Sequence, residues 1–351
     1  LVCFGGMTLK NSQISQGGTG NHIQKKDMLK AKKKGVKFIN ISPYNEDIIT
    51  ELEAKWIPII PNTDTALILA ICYFLLNKNL YNKKFLKKYT VGYEKFFDYL
   101  LGKTDGVVKS PEWASKICKI NPSFIQKIAK EMVAGKTMIS LSWSLTRQQY
   151  GEQPYWAGIV LACMIGQIGT SGGGVGFGYA AVNNVGNNLL SYKLPSFPKK
   201  ANSVSTFIPV ARFSDMLLNP NKKFNYNGKK MIFPKIELIY WAGGNPFHHH
   251  QDINRMIKAW QKPKTIIINE WCWNATAKFA DIVLPCTTTL EREDIAISSN
   301  DNYVVSMEKV INPIGDAKND YDIFTDLATE MGFGKEFTDG QNAEQWQKKN
   351  I

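Results

Sequence analysis

Short apolar runs that end in glycine or polar residues alternate with longer helical stretches along most of this chain. Leu1–Phe4 stops at Gly5-Gly6, as a buried parallel strand does. A basic helix near His22–Lys34 ends at Gly35, and Val36–Ser42 is a second strand closed by Pro43. Trp56–Ile60 predicts a third strand, followed by Pro61-Asn62-Thr63-Asp64 and a helix over Thr65–Asn77. Residues 78–134 read as helical, through Phe85–Leu101, Pro111–Cys118 and Pro122–Ala134. Met138–Trp143 returns to strand and delivers a polar run, Thr146–Gln153. The helix from Glu152 is apolar almost all round, which predicts burial between layers. Its successor, Gly172–Gly178, follows a helix and carries no GK[ST]. That argues against a phosphate loop and for a loop allowing close backbone approach by a ligand or a neighbouring domain.

Residues 181–206 lack periodicity and are rich in Asn, Ser and Pro, which marks a boundary. Phe207–Leu218 reads as a helix and Asn219–Gly228 as a polar loop. A second strand set then begins. Glu237–Trp241 runs into Ala-Gly-Gly-Asn-Pro, a helix covers Asp252–Trp260, and the strand Thr265–Asn269 ends at Glu270. Ala280–Pro285 and Tyr303–Val310 complete the strands, and Asp320–Met331 is helical. Strand, glycine pair, helix, strand occurs twice. The expectation is therefore α/β: two doubly wound, dinucleotide-binding-like domains with mainly parallel sheets, facing each other and part of a larger protein. Residues 1–200 form the first, 201–335 the second, and 336–351 open a truncated following segment.

Composition narrows the function classes. An apolar share of 44% with 12% aromatics suits a globular protein, and no apolar run reaches the about eighteen residues of a membrane span. The net charge of +13 resembles a nucleic-acid footprint, yet only four of the 43 basic residues are arginine. Dispersed lysine lacks the forks that read phosphates and bases, so nucleic acid is excluded as the main partner. Arg147, Arg212, Arg255 and Arg292 mark places where a planar fork is used. Six cysteines without a CxxC pair argue against structural zinc or a local iron–sulfur cluster, and most of them read as buried thiols. The first residues read as a strand entered in mid-protein, which suggests an internal piece of a longer chain.

Ligands of doubly wound sheets bind beyond the carboxyl ends of the strands, where Lys10, Asn11, Ser42 and Pro43 fall. Asn62, Thr63 or Asp64 either caps the following helix or, for Asp64, also accepts the amino and ring N–H groups of a guanine. The consecutive histidines His248, His249 and His250 point to different faces, so they line a site rather than jointly ligate a metal.

Four stretches carry a resemblance: WAGGNPFHHHQD, NEWCWNATAKFADIVLPCTTTLERED, WSLTRQQYGEQPYW with GQIGTSGGGVGFGY, and AKNDYDIF. Together, over essentially the whole chain, they resemble the dimethyl sulfoxide reductase family of molybdenum enzymes, in its dimethyl sulfoxide, trimethylamine N-oxide and biotin sulfoxide reductase branch. The resemblance implies two α/β domains, each binding one molybdopterin guanine dinucleotide, with molybdenum (tungsten being the alternative metal) held by both pterins. It places first-domain contacts on Lys10, Ser42, Asn62, Asp64, Trp143 and Arg147, and second-domain contacts on Asn245, His249, Gln251, Asn269, Glu270 and Asp320. It implies oxygen-atom removal from an S- or N-oxide, an electron donor such as a c-type cytochrome, and a periplasmic location, or a cytoplasmic one for the biotin sulfoxide type. The metal-ligating side chain is expected upstream of residue 1, so the catalytic residue is unknown and this stretch alone lacks a complete active site. Two positions depart from the family: Ser42 stands where relatives often carry Asp or Asn, and Phe279 where they often carry His. Rival readings are a formate-dehydrogenase-like member with Cys or selenocysteine on the metal, and a nucleotide-binding protein without pterin.

Overall fold

The computed structural model describes residues 1–12, 24–178, 201–297 and 304–350. The chain divides into two compact units, one of Leu1–Lys193 with Ile297–Tyr303 and the other of Leu194–Ala296 with Val304–Ile351.

The first unit is built on five strands: β1 (Val2–Phe4), β2 (Ile39–Ile41), β3 (Lys55–Ile57), β4 (Met138–Leu141) and β5 (Gly174–Phe177). They pair in the order β3-β2-β1-β4-β5, every pair parallel. Parallel strands present both faces to the interior, which explains their short apolar runs. One face sets Val2, Phe4, Ile41, Ile139 and Leu141 against the helices Asp64–Asn77, Pro122–Ala134 and Gln153–Ile165. The helix Asp64–Asn77 is apolar all round because it is enclosed, with Leu67, Ile68, Ile71 and Leu75 fully buried. Each such side chain contributes roughly 1.5–3 kcal/mol of burial. The other face gathers Cys3 and Phe38 with Met28 of the helix Gln24–Lys33. The strand order reverses direction between β1 and β4, so these two strands frame the switch point at which ligands of such sheets bind.

The second unit has a three-stranded parallel sheet, β10-β9-β8, from β8 (Leu238–Ala242), β9 (Thr265–Glu270) and β10 (Ile282–Pro285). The helix Ile253–Trp260 joins β8 to β9 and starts at Asp252, whose carboxylate accepts the Arg255 N–H at 3.1 Å. Its apolar stripe buries Met256, Ala259 and Trp260 against Ile239 and Ile266. The Trp260 indole donates to the Phe279 carbonyl at 2.9 Å. Asp215 accepts from both Arg212 and Arg255, tying two helices together. Arg212 also lies over the stacked rings of Phe224 and Phe233. Arg292 bridges Asp294 and the Thr287 carbonyl. Three of the four arginines thus use their forks internally.

The expected repeat of strand, glycine pair, helix and parallel strand is present in both units. Several details differ. Gly174–Phe177 is an edge strand on β4 rather than a turn, because every backbone pair with β4 is made despite the missing side chains. Asn219–Gly228 is not a loop throughout. Its residues Lys223–Tyr226 form β6 and pair antiparallel with β7 (Lys229–Ile232) across an Asn227-Gly228 turn. The helix expected from Phe207 begins at Phe213, past Pro209. The strand expected over Met138–Trp143 ends at Leu141, and Trp143–Thr146 is a 3-10 turn. The expected boundary falls in part, at residues 181–200, outside the described residues. Of the cysteines, Cys3, Cys72 and Cys118 are buried, Cys163 and Cys286 half-buried, and Cys272 exposed.

Candidate functional site

In the first unit Trp143 and Arg147 lie just past the carboxyl end of β4. Strand β4 ends at Leu141; the next N–H, of Ser142, donates to the Phe4 carbonyl at 3.0 Å, and the chain then turns so that Trp143 stands at the switch point. Its ring leans on Phe177 at 5.6 Å, and Phe177 meets Tyr155 edge-on at 5.2 Å. The Tyr155 hydroxyl in turn donates to the Ser142 carbonyl at 2.6 Å. Gly178 lies under the indole: a Cβ there would come within 3.0 Å of Trp143 Nε1, and φ is +70°. The close neighbour of Gly178 is thus Trp143 of the same unit, not the ligand or neighbouring domain expected at the glycine tract. Neither the indole N–H nor the exposed Arg147 guanidinium has a partner among the described residues, so both are free to donate.

Ser42 does not open onto this edge. It is fully buried, with its hydroxyl donated to Asp47 and its carbonyl accepting the Trp56 indole N–H at 2.9 Å. Half-buried Asp47, a position the sequence reading passed over, brings the carboxylate that residue 42 lacks. Lys10 is exposed in the short helix Leu9–Ser12. Asn62 is exposed in a left-handed turn, φ +68°. The helix cap is Thr63, but its hydroxyl bonds the Ile60 carbonyl at 2.6 Å and no side chain caps the helix. Asp64 opens the helix at only 4% exposure, and burial pushes its carboxyl up to about 6 against the pull of its own backbone N–H. A buried carboxylate with so few donors fits a ligand that brings N–H groups of its own.

In the second unit β8 exits through Gly243 and Gly244, both with positive φ and with open space where a Cβ would stand. This bare backbone leads into Asn245 and the short helix Pro246–His249. Asn245 accepts from the Thr276 hydroxyl, while Gln251 is exposed in the link to the next helix. His249 is exposed and His250 is tilted against Phe213, and no His/Cys/Asp/Glu group able to hold a metal occurs among the described residues. At the end of β9, buried Asn269 accepts from the Tyr240 hydroxyl at 2.8 Å and donates to Asp320 at 2.9 Å. Glu270 accepts from the Trp271 N–H at 2.9 Å and from the Asn274 amide. Burial, then the carboxylates of Asp320 and Glu270, push the half-buried Cys286 thiol up to about 11, so strand ends β9 and β10 and the helix Asp320–Glu330 share one electrostatic neighbourhood. Phe279 stacks on Phe247 at 4.6 Å, an apolar contact.

The first unit thus offers the Trp143 and Arg147 donors with the buried Asp64 carboxylate, and the second the Asn269, Glu270 and Asp320 group past the end of β9. Over 346 residues the chain is 41% identical to biotin sulfoxide reductase of Cereibacter sphaeroides, covering 99% of this chain and 46% of the relative. It is 41% identical to trimethylamine-N-oxide reductase of Haemophilus influenzae, covering 89% of this chain and 39% of the relative. A dimethyl sulfoxide/trimethylamine N-oxide reductase of Cereibacter sphaeroides is also 41% identical, with 90% and 40% covered. The chain therefore spans less than half the length of these relatives. Among solved structures, acetylene hydratase from Pelobacter acetylenicus shares the fold, with a TM-score of 0.57 at 18% identity, over 99% of this chain and 51% of that one. The family model for molybdopterin oxidoreductases matches residues 14–330, and this chain belongs to that family.

Proposed function

We propose that this chain is the central, cofactor-binding part of a reductase that removes oxygen from an S- or N-oxide, and that each unit holds one molybdopterin guanine dinucleotide. The observation that carries the reading is the doubling: each unit repeats a parallel strand pair joined through a helix, and each carries a carboxylate able to accept further hydrogen bonds, Asp64 in the first and Asp320 in the second. When bound, the pterin-held metal supplies the two-electron chemistry. The chain's own residues bind and orient. In the first unit Arg147 and Lys10 neutralise pyrophosphate oxygens, the Trp143 indole N–H adds a directed donor, and Asp64 with Asn62 meets the guanine. Asp47, supported by Ser42, takes the part that an acidic residue 42 has in relatives. In the second unit the bare backbone at Gly243-Gly244 admits the dinucleotide closely, with Asn245, His249 and Gln251 along it. Asn269, Glu270 and Asp320 then accept from and donate to the nucleoside.

The names of the relatives support an S- or N-oxide as substrate. A c-type cytochrome as donor and a periplasmic setting remain part of the proposal; no helix among the described residues is long and apolar enough to cross a membrane. The test is to assay the full-length protein with a reduced viologen dye against trimethylamine N-oxide, dimethyl sulfoxide and biotin sulfoxide. Turnover of at least one supports the reading. Formate oxidation without oxide reduction would instead favour the formate-dehydrogenase-like alternative.

A further inference from the structure

The three side chains Tyr240, Asn269 and Asp320 come from β8, from the end of β9 and from the first turn of the helix Asp320–Glu330. Their hydrogen bonds have only one consistent direction. The Asp320 carboxylate only accepts, so the amide nitrogen of Asn269 faces it, at 2.9 Å. The amide oxygen then faces Tyr240, and the phenol at 2.8 Å is the donor. Asn269 is 3% exposed, so water does not offer an alternative set of partners. Tyr240 is itself held by its ring, which lies against Phe324 at 5.4 Å. The second oxygen of Asp320 has no donor among the described residues.

We propose that Tyr240 is a positioning residue for the second nucleotide site: through Asn269 it locks one oxygen of Asp320, leaving the other free to accept an amino or hydroxyl hydrogen of the nucleoside. The inference rests on the two-dinucleotide reading above. Tyr240 touches no ligand. Its hydroxyl anchors the buried Asn269 amide oxygen and so steadies the amide that engages Asp320, and the amide decides which carboxylate oxygen is left over. Without the phenol the buried Asn269 amide oxygen loses its donor and the amide is held from one side only, so its grip on Asp320, and with it the direction of the free carboxylate oxygen, loosens.

The experiment uses full-length holo-protein and counts guanine nucleotide released by acid after timed exposure to mild urea. Wild type should carry two equivalents. Tyr240→Phe keeps the ring against Phe324 and should lose one equivalent about tenfold faster than wild type, the other unchanged, as expected for one charge-linked hydrogen bond. The paired exchange Asn269→Asp with Asp320→Asn keeps an amide–carboxylate hydrogen bond and the tyrosine's acceptor. It should therefore unfold like wild type yet still lose one equivalent fast, because the ligand meets an amide oxygen. Equal loss from wild type and both variants would overturn the positioning role. Wild-type protein without any guanine nucleotide would overturn the two-dinucleotide reading itself.

Discussion

Replacing Asp64 by asparagine should stabilise the cofactor-free protein while weakening its nucleotide binding. Asp64 is 4% exposed, and burial raises its carboxyl from the ordinary 3.8 to about 6. That rise corresponds to about 3 kcal/mol of cost for keeping the charge inside. The folded state holds the proton more tightly than the unfolded chain, so stability falls as pH rises from 3.8 through about 6, and the full cost stands above that. Asp64→Asn keeps the shape without the charge. Urea unfolding of the cofactor-free full-length protein should show a gain of up to about 3 kcal/mol near pH 8, shrinking as the pH drops below about 6. In the holo-protein the order inverts. The ionised carboxylate is the form that accepts guanine N–H groups, so wild-type nucleotide retention should weaken as pH falls below about 6, and the variant should be weak at every pH. A variant destabilised equally at both pH values would refute the reasoning, because Asp64 would then be a structural hydrogen-bonding group.

Three further outcomes are expected. Gly178→Ala should loosen the first-site nucleotide and cost about 1–2 kcal/mol of stability, since its Cβ meets the Trp143 indole nitrogen at 3.0 Å and φ is +70°; guanine release and thermal unfolding report both. Arg147→Lys should lower first-site retention about tenfold without affecting the fold, because an ammonium cannot reproduce a bidentate contact to pyrophosphate; unchanged retention counts against the fork. Asp215→Ala should destabilise the second unit by about 1–2 kcal/mol, read by urea unfolding, since it removes the carboxylate shared by the partly exposed Arg212 and Arg255. Burial opposes ionisation of Asp215, but the two arginines outweigh it and hold the carboxyl below its usual range, so their contribution is lost as pH falls through that lowered value.

Much of the fold was legible because parallel strands buried on both faces are short apolar runs that stop where the backbone meets ligand or loop. Leu1–Phe4, Val36–Ser42 and Thr265–Asn269 announced themselves in this way. Strand β5 did not, because Gly174 and Gly176 give no side-chain pattern and only its pairing with β4 makes it a strand. The hairpin β6-β7 was hidden for the opposite reason, since lysines at Lys223, Lys229 and Lys230 replace the alternation that marks a strand. Asp64 and Trp143 could be picked out from their place at an element's edge. Asp47 and Tyr240 could not. Their roles depend on partners brought close by folding, in Tyr240's case an asparagine on the neighbouring strand and through it an aspartate far along the chain.

The most direct test of the account is the cofactor content of the purified full-length protein, measured as metal by plasma mass spectrometry and as guanine nucleotide released by acid from the same sample. The account predicts about one molybdenum, or tungsten, and two guanine nucleotides per polypeptide. Protein that is folded yet carries neither the metal nor guanine would contradict it.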